Sequence, residues 1–138
     1  MSLASGASAV VVDASVTIEA VTGQSPWPER WSDWARSDAM LLAPSHFRAE
    51  IANGLLKGAG AAQGRVGDRL RTVMGSGVDV TDRGWRGVLH ALELAERHRL
   101  TLYDALYLQL AVDVDAPLAT LDRALAAAAR AEGIEVID

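Results

Sequence analysis

The chain has no cysteine. That absence excludes a disulfide framework, a thiolate metal site and a nucleophilic thiol, and it makes the cytoplasm the expected compartment. Lysine is nearly missing as well: of 13 basic residues only Lys57 is a lysine, and the others are arginines. No apolar run is long enough to span a bilayer, so no membrane partner is expected. The opening MSLASGASA has neither the basic stretch nor the apolar run of a signal peptide. Residues 1–8 are expected to form a loose tail and 9–138 a single domain, since 138 residues supply one core and leave no room for a second.

What the chain does contain is a globular balance, 50% hydrophobic and 22% charged. Its formal charge of −5 speaks against a polyanionic partner, because nucleic-acid binders carry a basic footprint. The arginines soften that exclusion. Guanidinium groups suit bidentate phosphate contacts, and metal bound to four acids would leave the rest of the chain near neutral, so that local patches matter more than the total.

Apolar runs and turn residues alternate along the chain. SAVVVDAS reads as a strand buried on both faces and ending at Asp13, with a helix from about Val16. PWPERWSDWARS reads as a proline-opened helix, and AMLLAPS as a strand stopped by Pro44. HFRAEIANGLLKG and VGDRLRTVMG are helices separated by a glycine-rich turn, and GVDVT is a short strand. The helix WRGVLHALELAERH follows, then the helix TLYDALYLQLA, the strand PLATLD, the helix RALAAAARAEG and the strand IEVI. Such alternation predicts an α/β domain with a mainly parallel sheet covered by helices on both faces. In sheets of that kind ligands sit outside the carboxyl ends of the strands.

TLYDALYLQLA, residues 101–111, is apolar nearly all round, yet it carries Asp104 among two tyrosines and four leucines. An ionised carboxylate is costly in such a helix unless it is paired, hydrogen-bonded or metal-bound. Thr101 and Asp104 have the spacing of a capping box, which is one explanation. Asp13 and Asp122 end strands, and each also reads as the N-cap of the next helix. Glu50 has no capping role; placed in the second turn of its helix, three residues after Phe47 and beside Ile51, it lies near the inward apolar stripe. A buried-face glutamate needs a partner.

Four segments, VVVDAS, APSHFRAEIANGLLKG, LTLYDALYLQLA and LATLDRALAAAARAEGIEVI, stand in the order and spacing of the PIN domain. The chain resembles that family from about residue 9 to its end, and specifically the VapC-type toxins of type II toxin–antitoxin pairs. The resemblance implies a three-layer α/β/α fold with a mainly parallel central sheet, and metal-dependent endoribonuclease activity. It implies that Asp13, Glu50, Asp104 and Asp122 bind metal and carry catalysis, supported by Ser15 and Thr120. It further implies products with a 5′-phosphate and a 3′-hydroxyl, and a cognate antitoxin. Residues 58–90 match in pattern alone. A homodimer is expected as the commonest arrangement of small proteins that oligomerise.

The residue chemistry agrees with that resemblance. Oxygen ligands without histidine or cysteine suit hard cations such as magnesium or manganese. Four crowded carboxylates repel one another and raise their own pKa values unless a cation neutralises them. A bound metal would position the scissile phosphate, acidify a water and stabilise the leaving oxygen.

Other residues read more simply. His46, four before Glu50 on the same face, is expected to be solvated rather than a ligand, and His90 and His98 are expected to be structural. Trp27, Trp31 and Trp34 fall at helical spacing, with core packing the default and an interface the alternative, one in which this helix walls a groove for the antitoxin. Arg83, Arg86 and Arg123 are candidates for RNA phosphates. Rival classes fit less well. A phosphorelay receiver needs a late sheet lysine, and the single lysine is Lys57. A haloacid dehalogenase phosphatase needs a second aspartate where Ser15 stands. The non-enzyme alternative is a PIN fold that binds RNA or protein without cleaving, which loss of a family acid would signal; all four are present.

Overall fold

The computed structural model describes residues 8–58 and 65–138. The tail, apart from Ser8, and most of the glycine-rich turn after Lys57 lie outside these. Ser8 is already tied in, since its carbonyl accepts the Met40 N–H at 2.7 Å. The elements run β1 (Ala9–Val12), α1 (Ala14–Val21), α2 (Trp27–Arg36), β2 (Met40–Pro44), α3 (Phe47–Lys57), α4 (Arg65–Met74), β3 (Val78–Thr81), α5 (Gly84–His98), α6 (Leu102–Val114), β4 (Leu118–Ala119), α7 (Arg123–Ala131) and β5 (Val136–Ile137).

The sheet is wholly parallel, in the order β3-β2-β1-β4-β5. β1 lies in its centre because Val10, Val11 and Val12 are apolar on both faces and all are buried. It registers Val10 opposite Leu41 of β2, and Val12 opposite Ala119 of β4. From β1 the chain winds outward to β2 and β3, then crosses back to β4 on the other side of β1. The strand order therefore reverses between β1 and β4, and the crevice at their carboxyl ends is where an open α/β sheet places its ligand.

Helices cover both faces in three layers. α1, α2, α3 and α4 pack against one another, while α5, α6 and α7 form a second group with α6 across β1, β2 and β4. α6 is buried nearly all round, through Ala105, Tyr107, Leu108, Gln109, Leu110 and Ala111, as its composition predicts. α5 is amphipathic, burying Gly87, Ala91, Leu94 and Ala95. His98 and Arg97 both reach Glu132 at 2.7 Å, which fastens α5 to the end of α7 and gives His98 its structural role. No helix among the described residues is long and apolar enough to cross a membrane.

The tryptophans of α2 divide. Trp27 is in the core, while Trp31 and Trp34 are half-buried and meet edge to face at 5.2 Å. Trp31 lines a cleft with Ala39, Leu41, Ser76 and Gly77, at the amino ends of β2 and β3. α1 carries the chain from Asp13 to that far edge before α2 begins. A groove walled by α2 would thus lie at the edge of the sheet opposite the strand-end acids.

Candidate active site

Asp13 leaves β1 as the N-cap of α1 and accepts the Val16 N–H at 3.2 Å. The same oxygen accepts the Ser15 hydroxyl at 2.5 Å, and the other oxygen accepts the Thr120 hydroxyl. Only 6% of the residue is exposed. Burial pushes its pKa up to about 6, with the charge of Glu50 adding to the effect, although the three donors pull the other way. The cap is therefore compatible with a functional role for the same side chain.

Each supporting hydroxyl also accepts a backbone bond. Ser15 Oγ takes the Leu121 N–H at 3.1 Å, and Thr120 Oγ1 takes the Asp122 N–H at 3.0 Å. Two hydroxyls thus stitch the end of β1 to the β4–α7 connection, across the point where the strand order reverses. Asp122 lies three residues past the end of β4, not on a strand as PLATLD suggests; it is exposed and caps α7 through the Leu125 N–H at 2.9 Å. β4 is short because only Leu118 and Ala119 register with both β1 and β5.

Asp104 stands in the first turn of α6, where the Thr101 hydroxyl accepts its backbone N–H at 3.1 Å. This is half of a capping box. Among the described residues the Asp104 carboxylate makes no hydrogen bond back to the Thr101 backbone, and the Thr101 side chain favours its charged form only in part. Burial, then the charges of Asp122 and Glu50, raise its pKa.

Glu50 falls in the first turn of α3, not the second, and its side chain is 36% exposed rather than buried. Its Oε1 accepts the Tyr107 hydroxyl at 2.5 Å. Tyr107 is fully buried, and burial with the neighbouring carboxylate raises its pKa far beyond the usual phenol range. His46 departs from expectation as well. Its side chain is 15% exposed, not solvated, and neither ring nitrogen has a hydrogen-bond partner among the described residues. The ring packs edge-on to Tyr107 at 4.9 Å and tilts against Tyr103 at 5.4 Å, and burial lowers its pKa.

The four predicted acids therefore share one electrostatic neighbourhood. Glu50 acts on both Asp13 and Asp104, and Asp122 acts on Asp104. Among the described residues no three acidic or histidine side chains converge tightly enough to enclose one ion. The donor set still fits a hard cation: it offers oxygen atoms alone, they repel one another, and among the described residues no arginine or lysine pairs with any of the four. By donor chemistry alone, Asp13, Glu50, Asp104 and Asp122 are the candidates to hold it. Of the arginines, Arg83 pairs with Asp113 at 3.1 Å, and Arg86 and Arg123 are exposed.

Sequence reasoning missed Tyr107 and the burial of His46. The available signal was a polar ring three residues after Asp104 in a helix otherwise apolar. A larger apolar cavity of about 420 Å³ opens between α3, α4 and β3, lined by Phe47, Ile51, Leu70, Val73, Val78 and Val80. It contains none of the acids.

The PIN domain family model matches residues 10–131. Comparison with curated proteins returned no significant match. Among solved structures, PAE2754 from Pyrobaculum aerophilum is similar at 24% identity and a TM-score of 0.69, over 95% of this chain and 92% of that one. VapBC2 from Rickettsia felis, solved with a DNA fragment from its promoter, is similar at 16% identity and TM-score 0.69, over 94% and 97%. VapC20 from Mycobacterium tuberculosis, described as a Sarcin-Ricin loop cleaving toxin, is similar at 17% and 0.66, over 86% and 94%. At these identities the structural likeness speaks for the fold, and the family model, which spans most of the sequence, shows that the chain belongs to the PIN-domain family.

Proposed function

We propose that the protein is a cytoplasmic VapC-type toxin, an endoribonuclease that uses magnesium or manganese, acts as a homodimer and is held in check by a cognate antitoxin. The observation that carries the reading is that the charge of Glu50 acts on both Asp13 and Asp104 and that of Asp122 on Asp104, while among the described residues no arginine or lysine pairs with any of the four. The toxin descriptions of structural relatives such as VapC20 support it.

A divalent ion held by these carboxylates would supply positive charge for the scissile phosphate and would acidify a water molecule there. The chain's own residues prepare the place. Ser15 and Thr120 fix both oxygens of Asp13, and Tyr107 fixes one oxygen of Glu50, so two ligands are oriented before anything binds. Asp104 and Asp122 stand at the starts of α6 and α7, where the charge of Asp122 acts on Asp104. An antitoxin arginine entering it would pair bidentately with these acids, which is the physical basis for inhibition.

Purified protein incubated with cellular RNA should cleave in magnesium and stop in excess EDTA, with Asp104→Asn inactive but folded. Sequencing RNA 5′ ends after induced expression, parent against Glu50→Ala, would locate the cut. Binding of RNA without cleavage in magnesium or manganese would leave a binding module instead.

A further inference from the structure

Glu50 borders a second feature. A cleft of about 340 Å³ opens between α3 and α6, lined by His46, Ala49, Glu50, Asn53 and Tyr103. Its volume falls within the range of about 300–1,000 Å³ typical of small-ligand sites. One wall is a ring: Tyr103, immediately before Asp104, leaves 62% of its surface exposed, although Tyr107 one turn on is fully buried. Behind it stands the His46 ring, 5.4 Å away and without hydrogen-bond partners among the described residues. The other wall is a face of α3. Ala49 is small and leaves the cleft open, while exposed Asn53 offers a donor and an acceptor beside it. Lys57 is one further turn along that face.

An exposed tyrosine alone means little. This one meets the His46 ring at a tilt, in a cleft that Glu50, a candidate ligand of the nuclease centre, and the Asn53 amide also line. We infer that the cleft holds one unpaired nucleobase of the substrate, that of a nucleotide next to the scissile phosphate, stacked on Tyr103 and met at its edge by Asn53. Single-stranded RNA is recognised in this manner, by stacking on aromatic rings and hydrogen bonds to exposed base edges. The inference rests on the nuclease reading for the position of the phosphate, and it names what sets the protein's preference among bases.

The test uses short fluorescein-labelled homo-oligomers of each base and fluorescence anisotropy, in an Asp13→Asn background that removes cleavage. Tyr103→Ala should weaken binding about tenfold or more, and Tyr103→Phe, which keeps the ring, should stay close to the background protein. Asn53→Ala should level the differences among the four oligomers. An oligomer with one abasic position should lose affinity for the background protein and lose little more on Tyr103→Ala, because ring and base then delete the same contact. Equal binding by Tyr103→Ala and the background protein, or no measurable binding of any oligomer, overturns the inference. Cleavage is read separately on the parent. A parent that cuts while Tyr103→Ala binds unchanged refutes the base site alone, and a parent that never cuts while the ring dependence holds refutes the nuclease reading alone.

Discussion

The Tyr107 hydroxyl donates to Glu50 Oε1 at 2.5 Å, joining residues 57 apart in the chain and two different helices. The phenol is inside the fold, and the carboxylate that it holds is at the rim. A hydrogen bond to a charged acceptor contributes about 1.5–3 kcal/mol, and it also fixes which carboxylate oxygen remains for other partners.

Tyr107→Phe should therefore fold and keep its core, with a melting temperature lowered by several degrees. Its clearer effect is on metal use: the magnesium concentration for half-maximal cleavage should rise, because Glu50 must be oriented at the expense of ion binding. Metal titrations of parent and variant check this. Superimposable titration curves would remove Tyr107 from any positioning role.

Asp13 governs stability without metal. In the unfolded chain its carboxyl titrates near the ordinary aspartate value, whereas in the fold its pKa is about 6. Between these values the folded protein retains a proton that the unfolded chain has released, so stability falls as pH rises through that window and stays low above it. The penalty is on the order of 2–3 kcal/mol above about pH 6. Asp13→Asn should consequently melt higher than the parent in EDTA near pH 7.5 and lose that advantage near pH 4, as judged by calorimetry. A difference between the two proteins that does not change with pH would show that Asp13 is not the group responsible.

Most of this architecture was legible in the sequence, for a physical reason. Strands such as AVVV and MLLAP sit inside a parallel sheet, so their apolar runs are continuous and easily seen, and Asp13 directly follows one of them. What was not legible depends on which face a residue presents and what meets it there. Glu50 was expected to be buried and is at the rim, because α3 starts only at Phe47. His46 was expected in water and is covered by two tyrosines from α6, a contact between segments far apart in sequence. The three tryptophans share a helix, yet whether that helix adjoins the acids depends on where α1 delivers the chain.

Metal should stabilise the fold by mass action, about 2.7 kcal/mol at a concentration one hundred times the dissociation constant. Magnesium or manganese should thus raise the melting temperature of the parent, by more at neutral pH than in acid, where the carboxylates are protonated. Asp122→Asn should blunt the rise if Asp122 is a ligand, and its exposed position means that the substitution leaves the core intact. An undiminished response in that variant would place the ion elsewhere.

Thr120 is the most economical place to test whether the hydroxyl stitches matter to catalysis. Its Oγ1 donates to Asp13 and accepts the Asp122 N–H at 3.0 Å, so one buried atom sets the distance between two candidate ligands. Thr120→Val keeps the shape and removes the hydroxyl. The Asp122 N–H then loses its acceptor and Asp13 loses a donor that favours its charged form, so the pKa of Asp13 should rise further. The expected outcome is a drop in cleavage of roughly tenfold or more, from a loss of about 1–3 kcal/mol in site organisation, with the acid limb of the pH–rate profile moved toward higher pH. Thr120→Ser, which restores the hydroxyl without the methyl group, should recover the position of that limb even if it packs less well. A limb that stays in place in Thr120→Val, with only a uniform loss of rate, would mean that Thr120 holds the chain together at the β1/β4 crevice without tuning Asp13.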